Sequence, residues 1–368
     1  MSSVRLILVV LTLLAVACTQ ESPRHLTDPP PTTPPDFPPL PGTADPHGIE
    51  FIPRLELERR PPRRPHGVAV TPDGRFVVVT SYETGIVQVR EAAGYTLLRQ
   101  EQLFNSSGPW GVTISHDSQT AFVGARPGSI RSFSVPQLAL QDFTAIRARM
   151  LVRSGREYFA SSTGEGVFKL AADGTVLANY PMTNMDNTKL ALSIDERLVI
   201  ALDITDQMHV LDARTLAPVR LIPLALPHRS YLVIPLRGAT KVLLLGAIGE
   251  SPAGTVVDYD TGEVGQTQQL TPDPRYPWLE FGLGNPWVSI GQDLTVVTSS
   301  GGFILVNERT GKLERLVVDL PSLEDAGDCC EVAYDLHLDR LIVVNERRTP
   351  GGVETSRLIA YQIVRNNR

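Results

Sequence analysis

The sequence predicts an all-β fold, a β-propeller of seven blades with four antiparallel strands each. The first observation is a repeat, in which residues 65–74 (PHGVAVTPDG) match residues 109–118 (PWGVTISHDS) after an interval of 44 residues. A period near 40 residues with strand-like contents is typical of stacked β-blades. The second observation is that apolar residues recur at alternate positions or in short runs bounded by Gly, Pro, Asp and Asn. This pattern indicates strands and turns and does not favour long helices.

The first two repeats define the strands of one blade. Their match continues without a gap, with residues 76–80 aligned to 120–124 and residues 85–89 aligned to 129–133. Each unit is therefore predicted to contain a strand, a tight turn, a strand, a loop and a further strand. Residues 49–57 precede the first repeat and alternate apolar and polar side chains, so they are predicted to form a strand that completes the last blade and closes the ring.

The later units keep the rhythm of the strands but lose the repeated phrase. Five more are counted, at residues 149–180, then from Asn187, from Pro227, from Asn285 and from Cys329. Seven units of about four strands account for nearly all residues from 49 to 365, which favours a propeller. The weak third unit leaves six or eight blades open, and a β-solenoid is the alternative, although its repeats are usually shorter and lack such hairpin turns.

The repeats resemble those of the bacterial YVTN-type β-propeller family, whose units read Pro-x-Gly, alternating residues, Ser or Thr, then x-Asp-Gly and a Val-rich strand. Residues 65–80 fit closely and residues 109–124 fit well, while Val78-Val79-Thr80-Ser81 stands where the family has its namesake tetrapeptide. The resemblance implies the propeller fold and a secreted or lipid-anchored protein. It implies no particular activity, because such scaffolds carry many functions.

The N-terminal residues are predicted to direct export. Arg5 precedes an apolar run at residues 6–16 that is too short to span a bilayer, and residues 14–18 (LAVAC) resemble a bacterial lipobox with Cys18 as the acylated residue. We therefore expect a signal peptide of the lipoprotein type at residues 1–17 and anchoring in the cell envelope, with Thr19 favouring the outer membrane. Ordinary secretion or a periplasmic location is the alternative.

A proline-rich segment follows the predicted anchor. Residues 21–46 contain ten prolines, which cannot donate to a ladder and fix an extended backbone. We expect residues 18–46 to be a flexible tether and residues 47–368 to form the propeller. The formal net charge of −6 argues against a nucleic-acid partner, since it offers no basic stripe.

Function is expected on one face of the propeller, around the mouth of the central channel. The first strand of each blade should line the channel, and loops that carry function should gather where these strands begin. Tryptophan and tyrosine at such a rim are good anchors for a partner. The candidate binding residues are His66, Tyr82, Trp110, Arg126, Asn187, His228, Trp278, Trp287, Cys329 and Cys330. The alternative is that the Pro-His and Pro-Trp heads merely plug the channel and cap the blades.

Two of these candidates are adjacent cysteines. If Cys18 carries lipid, Cys329 and Cys330 are the remaining thiols, and an oxidising compartment would permit a vicinal disulfide between them. Such a bridge is strained, so a redox or ligand-contact role is one interpretation. A rigid turn that leads into the last inner strand is the other.

These features favour a binding or scaffold protein of the cell envelope, with a protein or small-ligand partner, over an enzyme. The histidines show no metal-ligand spacing and no nucleophile motif is present, so no metal, cofactor or catalytic residue is predicted. The alternative is a propeller enzyme, either a hydrolase of the lactonase or esterase kind or an oxidoreductase of the quinoprotein kind, with its site on the same face.

Overall fold

The structure, a computed structural model, confirms the all-β fold and the seven blades. It describes residues 49–58, 65–104, 108–125, 129–183, 185–238, 240–249, 251–271, 286–299, 302–317, 326–348 and 354–365. Within these residues, 28 strands form seven antiparallel sheets of four strands, and no helix is present. The short apolar runs of the sequence account for this outcome, because the two faces of each blade pack against the neighbouring blades on either side.

The strands are numbered in chain order. The first fourteen are β1 (Ile49–Glu58), β2 (Pro65–Val70), β3 (Phe76–Ser81), β4 (Ile86–Glu91), β5 (Leu97–Gln102), β6 (Pro109–Ile114), β7 (Thr120–Ala125), β8 (Ile130–Ser134), β9 (Leu140–Thr144), β10 (Ala148–Ser154), β11 (Glu157–Ser162), β12 (Gly166–Leu170), β13 (Val176–Pro181) and β14 (Met185–Leu192). The others are β15 (Leu198–Asp203), β16 (Gln207–Asp212), β17 (Pro218–Pro223), β18 (Arg229–Pro235), β19 (Lys241–Ile248), β20 (Ser251–Asp258), β21 (Val264–Gln269), β22 (Trp287–Gly291), β23 (Leu294–Ser299), β24 (Gly302–Asn307), β25 (Leu313–Val317), β26 (Ala326–Asp335), β27 (Arg340–Arg348) and β28 (Glu354–Arg365).

Blades 1 to 6 are consecutive groups of four strands, from β2–β5 in blade 1 to β22–β25 in blade 6. Blade 7 has the order β26, β27, β28, β1, so its outermost strand comes from the other end of the chain. Ile49 pairs with Arg365 and Glu58 with Arg357 along this antiparallel ladder. The prediction that the strand before the first repeat closes the ring is confirmed.

Each pair of neighbouring blades shares one apolar cluster, and these seven clusters together form the core. Between blades 6 and 7, Ile49, Phe303 and Tyr361 are almost fully buried. The Phe303 ring lies 5.4 Å from that of Tyr361 in an edge-to-face arrangement, which adds to the stability gained by burial. The core is therefore a ring of interfaces and not a single central cluster.

Side chains also link every blade to the next through backbone carbonyl groups, at distances from 2.7 to 3.3 Å. The seven donor and acceptor pairs are Thr80 to Trp110, Thr113 to Leu151, Lys169 to Arg214, Arg220 to Thr261, Gln268 to Gly311, Arg365 to Ile290 and His337 to Pro72. The last pair joins blade 7 to blade 1. Hydrogen bonds therefore run around the whole ring.

A turn motif recurs between the first and second strands of blades 1, 2 and 4. In blade 2, the Ser115 hydroxyl donates to Asp117 at 2.6 Å and accepts from the amide of Thr120 at 2.9 Å. The bonds from Ser115 and from the Gln119 amide hold the pKa of Asp117 below its ordinary value. Thr71 with Asp73, and Ser193 with Asp195, make the same contacts. These carboxylates support the turns.

Candidate functional site

Two faces of the propeller are distinguished by their loops. The first strands contact one another in a ring that runs from β22 through β26, β2, β6, β10 and β14 to β18, so they are the inner strands. We call the face with the loops between second and third strands, where Tyr82 lies, the upper face. The face with the turns between first and second strands, such as residues 193–197, is the lower face.

The structure brings three of the predicted residues together on the upper face. The rings of His66, Tyr82 and Trp110 have centroids 4.9 to 5.3 Å apart in tilted and edge-to-face contacts. His66 and Trp110 are only 4% and 5% exposed, whereas Tyr82 is half-buried. The three rings therefore pack mainly on each other, where blade 1 meets blade 2, and Tyr82 is the member that offers the most surface to solvent.

His228, the head of blade 5, is buried in a polar chain that runs across its own sheet. Its Nε2 lies 2.9 Å from the hydroxyl of Thr255, which lies 2.7 Å from that of Thr267. Burial lowers the pKa of His228 below its ordinary value. A neutral imidazole with a hydroxyl partner satisfies its polar atoms inside the blade, so the contacts of His228 are internal.

Trp287 does not occupy the position of Trp110. It opens β22 and pairs with Val297, at the register where Val68 pairs with Val79 in blade 1 and Val112 pairs with Val123 in blade 2. Trp287 therefore lies two positions further along its inner strand than Trp110 does in blade 2. Trp287 is consequently part of the inner strand and packs against the apolar cluster shared by blades 5 and 6.

The remaining predicted residues are described only in part. Asn187 lies in β14, and Cys329 and Cys330 lie in β26, but their side chains are outside what the structure describes. Arg126, Trp278 and Cys18 lie outside the described residues altogether. Their predicted roles stay predictions.

A cavity of about 450 Å³ lies among the inner strands β6, β10, β14, β18 and β22. Most of its lining residues are apolar, among them Val112, Leu151, Leu190, Val233 and Trp287 from five different blades, while its surface is polar almost as much as apolar. Polar side chains come from Thr113, Arg153, Ser193 and Glu196. A cavity of this size, apolar with a few polar groups, is typical of small-ligand sites.

The cavity reaches solvent at the lower face. Ile194 and Glu196, both in the turn that follows β14, line it and are exposed. Ile194 has 52% of its surface exposed, which is unusual for so apolar a side chain beside a cavity. The opening therefore lies on the face opposite to the predicted one.

Sequence reasoning did not identify Leu151, Arg153 or Glu196, although one signal was present. The turns of blades 1, 2 and 4 align as TPDG, SHDS and SIDE, so Glu196 occupies the position of Gly74 and Ser118. A glutamate at a position that glycine fills in a sister repeat is the feature that marks this turn.

Another group of titratable side chains lies between blades 3 and 4. The Tyr180 hydroxyl is 3.2 Å from Nδ1 of His209, and Nε2 of His209 is 3.6 Å from Asp203. The Asp203 carboxylate also accepts hydrogen bonds from the amides of Thr205 and Gln207. Burial lowers the pKa of His209 even though Asp203 acts in the opposite direction.

We expect a loss of stability in acid from two histidines, the half-buried His209 and the buried His228. Because burial lowers the pKa of both His209 and His228, the unfolded chain binds protons first as the pH falls below about 6.5. Each histidine should then make the free energy of unfolding fall by up to about 1.4 kcal/mol per pH unit. Urea unfolding between pH 7 and pH 5 measures this slope.

In the same experiment, His228→Gln should make the slope shallower. His116→Gln, at an exposed turn position of blade 2, is the matched control and should leave the slope as it is. Equal slopes for the parent and His228→Gln would contradict the expectation for this histidine.

Comparisons with known proteins give no family for this chain. No known protein family matches it, and no curated protein is similar to it. Among the described residues, no helix is long and apolar enough to cross a membrane. The described residues also contain no group of three or more His, Cys, Asp and Glu side chains arranged to hold a metal ion.

Proposed function

We propose that this protein is a binding protein that takes a small, largely apolar ligand in its central cavity. The observation that carries the proposal is the cavity itself, about 450 Å³ in volume, which has walls from five blades and an opening to solvent. Binding suits the fold, because a ring of rigid blades holds the cavity walls in place before the ligand arrives. The propeller therefore acts as a scaffold that supports a single binding site.

The wall composition supports a small ligand more than a protein partner. The cavity lies among the inner strands, inside the ring of blades, where a folded protein surface has no access. Half-buried Val152 and Trp287 add apolar surface that a ligand would cover. Apolar contact of this kind stabilises a complex by roughly 25 cal/mol per Å² removed from water, before the cost of association.

The cellular setting is part of the same proposal. Arg5, the apolar run at residues 6–16 and the LAVAC sequence ending at Cys18 support export and a lipid anchor in the envelope, with the proline-rich residues 21–46 as a tether. The match of residues 65–80 to the YVTN-type repeat supports membership of that propeller family. Labelling with a radioactive fatty acid, lost in Cys18→Ser, tests the anchor.

The binding experiment uses N-phenylnaphthylamine, an uncharged fluorophore that brightens in apolar surroundings. We expect saturable binding to the parent with one site per chain. Val152→Phe puts a larger side chain into the cavity and should weaken binding about tenfold or more, which corresponds to 1.4 kcal/mol. The readout is the dissociation constant from a fluorescence titration.

A matched control is available in the same blade. Val176, in the outermost strand β13, is 47% exposed, so Val176→Phe makes the same chemical change away from the cavity. It should bind the fluorophore like the parent. Absence of saturable binding, or equal weakening by both variants, would refute the cavity as the ligand site.

A further inference from the structure

We infer that the ligand of the central cavity is amphipathic and zwitterionic, with an apolar body, an anionic group next to that body and a cationic group at the outer end. The inference rests on the proposed function and specifies the ligand class. It follows from two opposite charges, those of Arg153 and Glu196, which line the same cavity near its opening.

The two charges do not neutralise each other. Arg153 makes one hydrogen bond among the described residues, from Nη1 to the carbonyl of Ile114 at 3.0 Å. Glu196 accepts one at its side chain, from the Ser154 hydroxyl at 2.6 Å. No ion pair within 4.0 Å joins either charge to another charge in the described part of the chain. Each side chain is bonded to one uncharged group and has further hydrogen-bonding positions for a ligand.

Arg153 and Glu196 differ in depth within the cavity. This difference sets the expected order of the two charges along the ligand. Arg153 is half-buried and its guanidinium is held at Ile114, the last residue of the inner strand β6. Glu196 is exposed and belongs to the turn beyond the end of β14. An anion beside the apolar body would therefore meet Arg153 first, while a cation further out would meet Glu196.

The backbone at Glu196 has the conformation that this turn requires. Its φ is 57°, in the left-handed region, and the matching residues Gly74 and Ser118 of blades 1 and 2 have φ 69° and 65°. A long side chain is disfavoured in that region relative to glycine. Glu196→Gly should therefore raise the melting temperature slightly, by about 2 °C, while it removes the outer charge.

The test compares two probes with the same dodecyl chain and opposite arrangements of charge. Dodecylphosphocholine has its anion next to the chain, whereas dodecyl sulfobetaine has its cation there. Both are titrated, below micelle formation, against the full chain loaded with N-phenylnaphthylamine. We expect dodecylphosphocholine to displace the fluorophore at a concentration roughly fivefold lower, as expected for partly solvated charge pairs.

Two single substitutions assign the preference to the two charges. Arg153→Gln and Glu196→Gln should each reduce the fivefold ratio towards one. Arg197→Gln, in the same turn and exposed, is the matched control and should keep the ratio. Glu196→Gln preserves the length of the side chain, so loss of fold would not account for its effect.

The outcomes separate this inference from the function on which it rests. If the fluorophore binds but the two zwitterions displace it equally, or the ratio persists in both variants, the charge order is wrong and the cavity remains a ligand site. If the fluorophore does not bind to the parent, the proposed function and this inference both fail.

Discussion

Gly85→Ala is expected to lower the free energy of unfolding by roughly 3–5 kcal/mol, one of the largest effects of a single methyl group in this protein. Gly85 has φ 66°, which L side chains adopt only under strain. A Cβ atom at this position would lie 1.9 Å from the backbone oxygen of Phe104. Since that oxygen is backbone, it has no rotamer through which to move away.

The close approach of Phe104 to Gly85 brings their backbone groups into hydrogen-bonding distance. Its carbonyl accepts hydrogen bonds from the amides of Leu103 and Phe104, at 3.1 and 3.2 Å, where the chain leaves blade 1. Added bulk would separate these groups and disturb the apolar cluster between blades 1 and 2, to which Phe104 belongs. Urea unfolding followed by circular dichroism measures the change.

Two other glycines separate the causes of this effect. Gly155 has φ 55° but no atom within 4 Å of an added Cβ, so Gly155→Ala measures backbone strain alone, about 1 kcal/mol. Gly94 lies outside the left-handed region and its nearest neighbour would be 3.8 Å away, so Gly94→Ala should be close to neutral. If Gly85→Ala unfolds at the same urea concentration as Gly155→Ala, the clash with Phe104 has no energetic consequence.

Ile49→Asp should have a comparable effect because it acts on the closure of the ring. Ile49 is 1% exposed and packs with Ile363 and other residues of the cluster between blades 6 and 7. The substitution removes the burial of a large apolar side chain, worth about 1.5–3 kcal/mol, and brings a carboxylate into an apolar site at further cost. We expect a total loss of roughly 3–5 kcal/mol.

The matched control changes an apolar residue to aspartate on the outermost strand of another blade. Leu98 in β5 is 48% exposed, so Leu98→Asp should change the free energy of unfolding by no more than about 0.5 kcal/mol. Limited proteolysis should cut Ile49→Asp faster than the parent between β1 and β2. Equal unfolding midpoints for the two variants would show that β1 contributes little to closure.

Most of the fold was predictable because each blade repeats the same patterns of strands and turns. A continuous apolar run such as residues 76–80 has to bury both faces between blades, and turns such as TPDG and SHDS have side chains that satisfy the turn backbone. The role of β1 was also predictable, because a single strand that precedes seven units can close the ring only by pairing with the last blade. These features depend on local sequence, which the repeats display several times.

The site was less predictable because it depends on distances across the ring. Whether His66 and Trp110 offer binding surface depends on Tyr82, which packs on both of them from the loop after β3. The cavity depends on where strands from five blades stop, and the shift of Trp287 by two residues changes its wall. Neither the packing of Tyr82 nor the positions of the strand ends can be inferred from residues that are adjacent in sequence. Glu196 is the exception, since the aligned turns set it apart from Gly74.

The pairing of β1 with β28 has a consequence for the order in which the protein is made. A ribosome synthesises β1 before any blade exists and β28 only when almost the whole chain has left the tunnel. Blades 1 to 6 have all their strands as neighbours in sequence and can form their sheets during synthesis, whereas blade 7 cannot be completed until the end. Throughout that interval β1 lacks its partner strand, and Ile49 has no completed apolar cluster to join.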